Sequence, residues 1–218
     1  MIVPIFPLPN VVLFPKTMLP LHIFEQRYRV MTREAISADR SIAITLLKEG
    51  WEANYNGNPP VHEVACLGRI ETFEELDDGK YNIVLSGLYR VRLLRELDHV
   101  PYRRAEVEMM QELSCDDDSD AIVTRRNRLG GLFSRYAELI SSESRKASDA
   151  SLRLDFETLV NVAATTLNLS AEDRQALLEM DELTDRCDAL IPVLQRQLEA
   201  ILLVRRFEHL KPGEPRWN

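Results

Sequence analysis

Few side chains in this sequence stand at spacings that chemistry requires. His62-Glu63-Val64-Ala65-Cys66 sets an imidazole and a thiol four residues apart with a carboxylate between them, the ligand types of a zinc site. On a strand those two side chains would lie about 13 Å apart on one face, too far for one ion, so no metal site is expected. Gly79-Lys80 is the sequence's only Gly-Lys pair, but Tyr81 follows where a phosphate loop needs Ser or Thr, and the pair reads as a tight turn. The dinucleotide glycine fingerprint and the nucleophile elbow are absent from these residues. His22, His99 and His209 have no ligand-like neighbours, and a structural role is expected for His22. Cys66, Cys115 and Cys187 are odd in number and widely spaced, which argues for free thiols rather than disulfides or zinc. No catalytic, cofactor-binding or metal-binding residue is therefore expected.

Two groups suit recognition instead. Arg90, Arg92 and Arg95, with Arg103 and Arg104 further on, would make a basic strip able to hold anions or acidic partner segments. Against that, Glu96, Asp98, Glu106 and Glu108 are interleaved with them, the pattern of a solvated face whose ion pairs are each worth about 0 to 1 kcal/mol. Trp51 and Tyr55 lie among Gly50, Asn54, Asn56, Gly57, Asn58, Pro59 and Pro60, where large aromatics in a turn-rich loop can anchor a partner or fold back on the body. The candidate partner contacts are thus Trp51, Tyr55, Arg90, Arg92 and Arg103.

These residues must be placed by elements that the pattern outlines. Pro4, Pro7, Pro9, Pro15 and Pro20 fix φ and remove donors, which confines the opening apolar runs to short or edge strands and turns. Phe24, Tyr28, Met31 and Ala35 then recur at helical spacing and predict a helix over 24–38. Ser41 to Leu47 suits a buried strand; Asp77 to Lys80 turns one long strand into another, which should bend at Gly87; Tyr102 to Gln111 closes the sheet or barrel. The acidic run Ser114 to Asp120 marks the change to helical periodicity and the expected lobe boundary, 1–112 against 113–218. Ile122, Leu129, Phe133, Tyr136 and Ile140 form the next stripe, Leu152 to Leu167 another helix, and Ser170 caps a short one. A last long helix carries Leu183 to Ile201 with Pro192 inside it, where a kink is expected.

Composition narrows the classes. A formal charge of −8, from 27 basic and 35 acidic residues, disfavours nucleic acid as a partner. No apolar run approaches the roughly 18 residues of a membrane span and the start lacks a signal-peptide pattern, so a cytoplasmic protein is expected.

The order PIFPLPNVVLFPKTMLPLHIFEQRYR (Pro4 to Arg29), CLGRI (Cys66 to Ile70), DDGKYNIVLSGLYRVR (Asp77 to Arg92), PYRRAEV (Pro101 to Val107) and LSAEDRQALLEMDELTDRCDAL (Leu169 to Leu190) resembles the Lon protease N-terminal domain. That resemblance implies an α+β fold, a PUA-like mixed β-barrel lobe followed by a C-terminal α-helical bundle. It also implies a non-catalytic recognition module for unfolded polypeptide or a protein partner, which could include a separate protease or chaperone. The phosphate loop of Lon's ATPase module does not occur in these residues, nor does the context of its serine-lysine peptidase dyad. The alternative is a PUA-like domain that binds RNA or a small molecule through Arg90 to Arg104, with affinity falling steeply as salt rises.

Overall fold

The computed structural model describes residues 1–54, 57–97, 101–112, 118–140 and 154–206. Six strands form one mixed sheet: β1 (Ile2–Leu8), β2 (Met18–Ile23), β3 (Ser41–Leu46), β4 (Val64–Glu75), β5 (Tyr81–Leu97) and β6 (Arg104–Met109). Their order is β2-β5-β4-β3-β1-β6, and β6 pairs again with β5, so the ladder returns on itself. The pairing of β1 with β3 is parallel and the others are antiparallel.

The length of β5 makes this possible. Tyr81 to Ser86 pairs with β2, while Val91 to Leu97 pairs with β6, and β4 runs along both halves. Between the halves the register slips by one residue, with Leu67 opposite Tyr89 and Gly68 opposite Gly87. The carbonyl of Phe14 crosses so close to Gly87 that an added Cβ would lie 2.0 Å from its oxygen. Gly87 N–H donates to the Thr17 carbonyl and its own carbonyl accepts from Lys16 N–H, which fixes the proline-rich opening against the bend. The expected bulge is there, and close backbone approach is its physical cause.

β1 is a short strand, as expected for this run, but not an edge strand, so its prolines lie inside the sheet. Ile2 to Pro4 pairs with β6 and Ile5 to Leu8 with β3, so the two neighbours use successive halves of β1. Each proline lacks one N–H, which could serve one neighbour only, so Pro4 and Pro7 can sit inside the sheet where a single neighbouring strand pairs with them. Pro20 does occupy an edge, because β2 pairs with β5 alone.

Three apolar clusters hold the molecule together. Small residues such as Val3, Ala43, Ala65, Val91 and Ala105 fill one face of the sheet. On the other face Ile42, Ile44, Ile70, Tyr81, Ile83 and Leu85 meet Tyr28, Met31 and Ala35 of α1 (Gln26–Ser37). All six residues of β3 are buried, as a strand covered on both faces requires. Phe24 is a correction: it precedes the helix instead of joining its stripe and is 58% exposed.

The third cluster is helical. It joins α2 (Asp120–Ile140), α3 (Phe156–Thr166), α4 (Ala171–Glu179) and α5 (Leu183–Arg206) to Val12, Phe14, Leu46 and Val64 of the sheet region. The α2 stripe is buried at Ile122, Leu129, Phe133 and Tyr136, but Ile140 at its end is half exposed. Asp155 starts α3 by accepting from Thr158 N–H at 2.9 Å, so this helix begins after the expected Leu152; Ser170 starts α4 by accepting from Asp173 N–H at 3.0 Å. Helix α5 continues through Pro192.

Candidate recognition surface

Arg90 is not on the surface, which removes it from the expected basic strip. Its side chain is 1% exposed and reaches into the helical region, with Nε donating to Glu112 Oε1 at 2.5 Å. Its Nη1 donates to the carbonyls of Leu178 at 3.0 Å and Met180 at 2.9 Å, where α4 ends. Arg186 of α5, also buried, shares Glu112 at 3.1 Å and donates to the Met180 carbonyl at 2.8 Å. Two guanidinium groups thus flank one carboxylate, and the carbonyl end of α4 supplies further negative potential. Burial pulls the Arg186 guanidinium below its ordinary value, and Glu112 opposes that pull.

The remaining arginines are mostly engaged. Arg103 is 10% exposed, pairs with Glu96 through two bonds, and donates to the Pro59 carbonyl at 2.9 Å, pinning the loop that precedes β4. Arg95 pairs with Glu106 at 2.8 Å. Arg92 stands 3.9 Å from Glu108 and is the most available of the three candidate arginines, with 42% of its side chain exposed. Alternating charge across β5 and β6 therefore gives ion-paired rungs instead of a free cationic strip.

Trp51 is half-buried in a single 3-10 turn, Trp51–Asn54, and Tyr55 lies outside the described residues. His62 Nδ1 bonds Glu179 of α4 at 3.0 Å, and Cys66 is buried in the sheet, where burial pushes its thiol well above the ordinary value. Among the described residues no three His, Cys, Asp or Glu side chains stand together as metal ligands.

An uncovered sheet face lies elsewhere. Alternation along β2 puts Met18, Pro20 and His22 on the sheet face opposite α1, and Phe24 continues the series with its ring 6.3 Å from that of His22. Across the ladder the rows are Met18–Ser86–Arg69, Pro20–Val84–Thr72 and His22–Asn82–Glu74. Met18 is 54% exposed and Phe24 58%. A shallow cleft of about 510 Å³ crosses the three strands, lined by Pro20, His22, Thr72, Glu74, Asn82 and Val84. Asn82 Nδ2 donates to Glu74 Oε2 at 3.0 Å, which turns Asn82 Oδ1 toward His22 Nδ1 at 2.8 Å and places the imidazole proton on Nδ1. A second cleft of similar size runs between α4 and α5, floored by Leu177, Met180, Leu190 and Val193.

Of the sequence-derived contacts that are described, Trp51, Arg90, Arg92 and Arg103, none lines this β2 cleft. The signal was present in the alternation Met18, Pro20, His22, Phe24, but it reads as a surface only once β2 is known to pair with β5 and β4 to lie beyond.

A returning mixed sheet followed by a helical region is the fold of known Lon N-terminal domains. The N-terminal domain of Mycobacterium avium complex Lon protease superposes with a TM-score of 0.70 at 18% identity, covering 89% of this chain and 98% of that one. The Lon N-terminal domain protein from Xanthomonas campestris gives 0.60 at 23% identity, covering 88% and 98%. The chain belongs to the family of the ATP-dependent protease La (LON) substrate-binding domain, whose model matches residues 2–196. Among full-length relatives, Lon protease 1 of Bdellovibrio bacteriovorus is 28% identical over 204 residues, 93% of this chain and 26% of that protein. Lon protease 2 of Syntrophobacter fumaroxidans is 28% identical over 207 residues, 94% of this chain and 25% of that protein. The chain spans about a quarter of the length of these relatives.

Proposed function

We propose that this chain is a non-catalytic recognition module, with a PUA-like mixed barrel as its sheet, that binds unfolded polypeptide on the face formed by β2, β5 and β4. The observation that carries the reading is the uncovered row of Met18, Pro20 and Phe24 beside Val84 on a rigid sheet. Burying an exposed side chain of that size on a partner contributes about 1.5 to 3 kcal/mol, and two such anchors support weak, sequence-tolerant capture. Membership of a substrate-binding family supports the same reading. The bound segment would then pass to an ATP-dependent protease, on the same chain or a separate one. Trp51 and Arg92, each with exposed area, are retained as secondary contacts.

Fluorescence anisotropy with a labelled, permanently unfolded protein such as reduced and carboxymethylated α-lactalbumin tests the reading. The double variant Met18→Ser/Phe24→Ala should bind at least tenfold more weakly while melting within a few degrees of the parent, because more than half of each residue is already exposed to water. Unchanged affinity in a folded variant would reject this face.

A further inference from the structure

The charges around the β2 face are not symmetrical. Arg69 closes one end, on the row with Met18, whereas Glu74 closes the row with His22; Glu71 and Asp77 are exposed elsewhere on β4 and in the turn beyond it. Glu71, Glu74 and Asp77 form no salt bridge with any described residue. Glu74 is held in place through its Oε2 by Asn82, itself bonded to His22, and its other oxygen has no hydrogen-bond partner among the described residues. An oriented acceptor with a spare oxygen thus stands one row from the apolar centre at Pro20 and Val84.

Strand addition on β2 is blunted, since Pro20 lacks the donor that an added strand would need at the centre of the edge. The occupant therefore lies on the face. Rows on a strand repeat every two residues, about 6.6 Å, and an extended chain running along that direction has the same repeat. Building on the recognition role proposed above, we infer that the favoured ligand is an extended polypeptide segment with an apolar side chain over Pro20 and Val84 and a lysine or arginine two residues away, at Glu74. The Glu74 carboxylate, free of any salt bridge with a described residue, selects a basic neighbour and rejects an acidic one.

Three fluorescent octapeptides, alike except for Lys, Gln or Glu two positions from a single Phe, test this by anisotropy. At low ionic strength the Lys peptide should bind about tenfold more tightly than the Glu peptide, with Gln between, and the spread should shrink in 0.5 M salt. Glu74→Gln should bring the Lys peptide to the level of the Gln peptide. Equal binding of the three, or a lysine preference that survives Glu74→Gln, would overturn the charge selection while leaving apolar capture intact. If Met18→Ser/Phe24→Ala leaves all three affinities unchanged, the recognition face itself is wrong and the inference falls with it.

Discussion

Single residues on this chain do most when they bridge the sheet and the helices. Asp155 caps α3 through Thr158 and also receives Lys16, which sits 3.1 Å away and has a left-handed φ of 60°. Burial raises the Asp155 carboxyl, but the Thr158 N–H and hydroxyl and the Lys16 ammonium outweigh it and hold the group below its ordinary value of 3.8. A carboxylate depressed on folding stabilises the protein above the unfolded value, and the stabilisation is lost as pH falls through the folded one. Asp155→Ala should therefore cost about 1 kcal/mol near neutral pH. The gap in melting temperature between it and the parent should close as pH drops below about 4, which a thermal melt series from pH 7 to pH 2 would read. Trp51 stands on the connection between β3 and β4. Half-buried in its 3-10 turn, it is neither a core side chain nor a free one. Trp51→Ala should lower stability by about 1 to 2 kcal/mol, less than the 3 to 5 of a full core truncation, and weaken polypeptide binding a fewfold. A larger stability loss with unaltered affinity would assign the ring to packing alone.

Among the elements, β5 sets the geometry of the sheet, and its bend depends on one missing Cβ. Gly87→Ala puts a methyl group against the Phe14 carbonyl, an atom that the Gly87–Thr17 and Lys16–Gly87 bonds hold in place. The variant should lose about 1 to 3 kcal/mol or more in urea unfolding, whereas Gly131→Ala on α2, where an added Cβ meets nothing within 4 Å, should be neutral or gain up to about 1 kcal/mol. The bend was legible in the sequence because glycine interrupts a strong alternation at that point. So were the turn at Gly79, the α2 stripe and the Ser170 cap, all local patterns. The tolerance of β1 for Pro4 and Pro7 was not legible, since it depends on which half of the strand each neighbour takes. Phe24 was misplaced because helical and strand spacing overlap where β2 passes into α1, and four residues back from Tyr28 satisfies one pattern while two residues on from His22 satisfies the other.

At the scale of the whole molecule, we propose that residues 1–112 and 113–218 are lobes in sequence but not independent in stability, because their contact is closed by buried charge. Arg90 comes from β5, Glu112 follows β6, and Arg186 lies on α5, so the cluster spans the join that the sequence marks by a change of periodicity. Arg90 was read from sequence as part of a surface strip, because alternation on β5 gives no sign of what covers the strand; only the long-range approach of Leu178 and Met180 does that. The charges also rank the variants. Removing Glu112 leaves two buried guanidinium groups with only the exposed Asp181 carboxylate, 3.7 Å from Arg90, beside them, and such poorly compensated charge costs about 3 to 5 kcal/mol. Removing Arg90 leaves a balanced Glu112–Arg186 pair and takes a donor from the buried Leu178 carbonyl and the part-buried Asp181 carbonyl, while Met180 keeps its bonds from Arg186; an unsatisfied buried acceptor costs about 1 to 3 kcal/mol. Glu112→Ala should therefore be the more destabilising in urea unfolding, and in both variants amide exchange should speed up together in β5 and α5. If Arg90→Met costs more than Glu112→Ala, the cluster acts chiefly as a helix cap for α4. If exchange rises in α5 alone, the two lobes unfold separately and the proposed coupling is wrong.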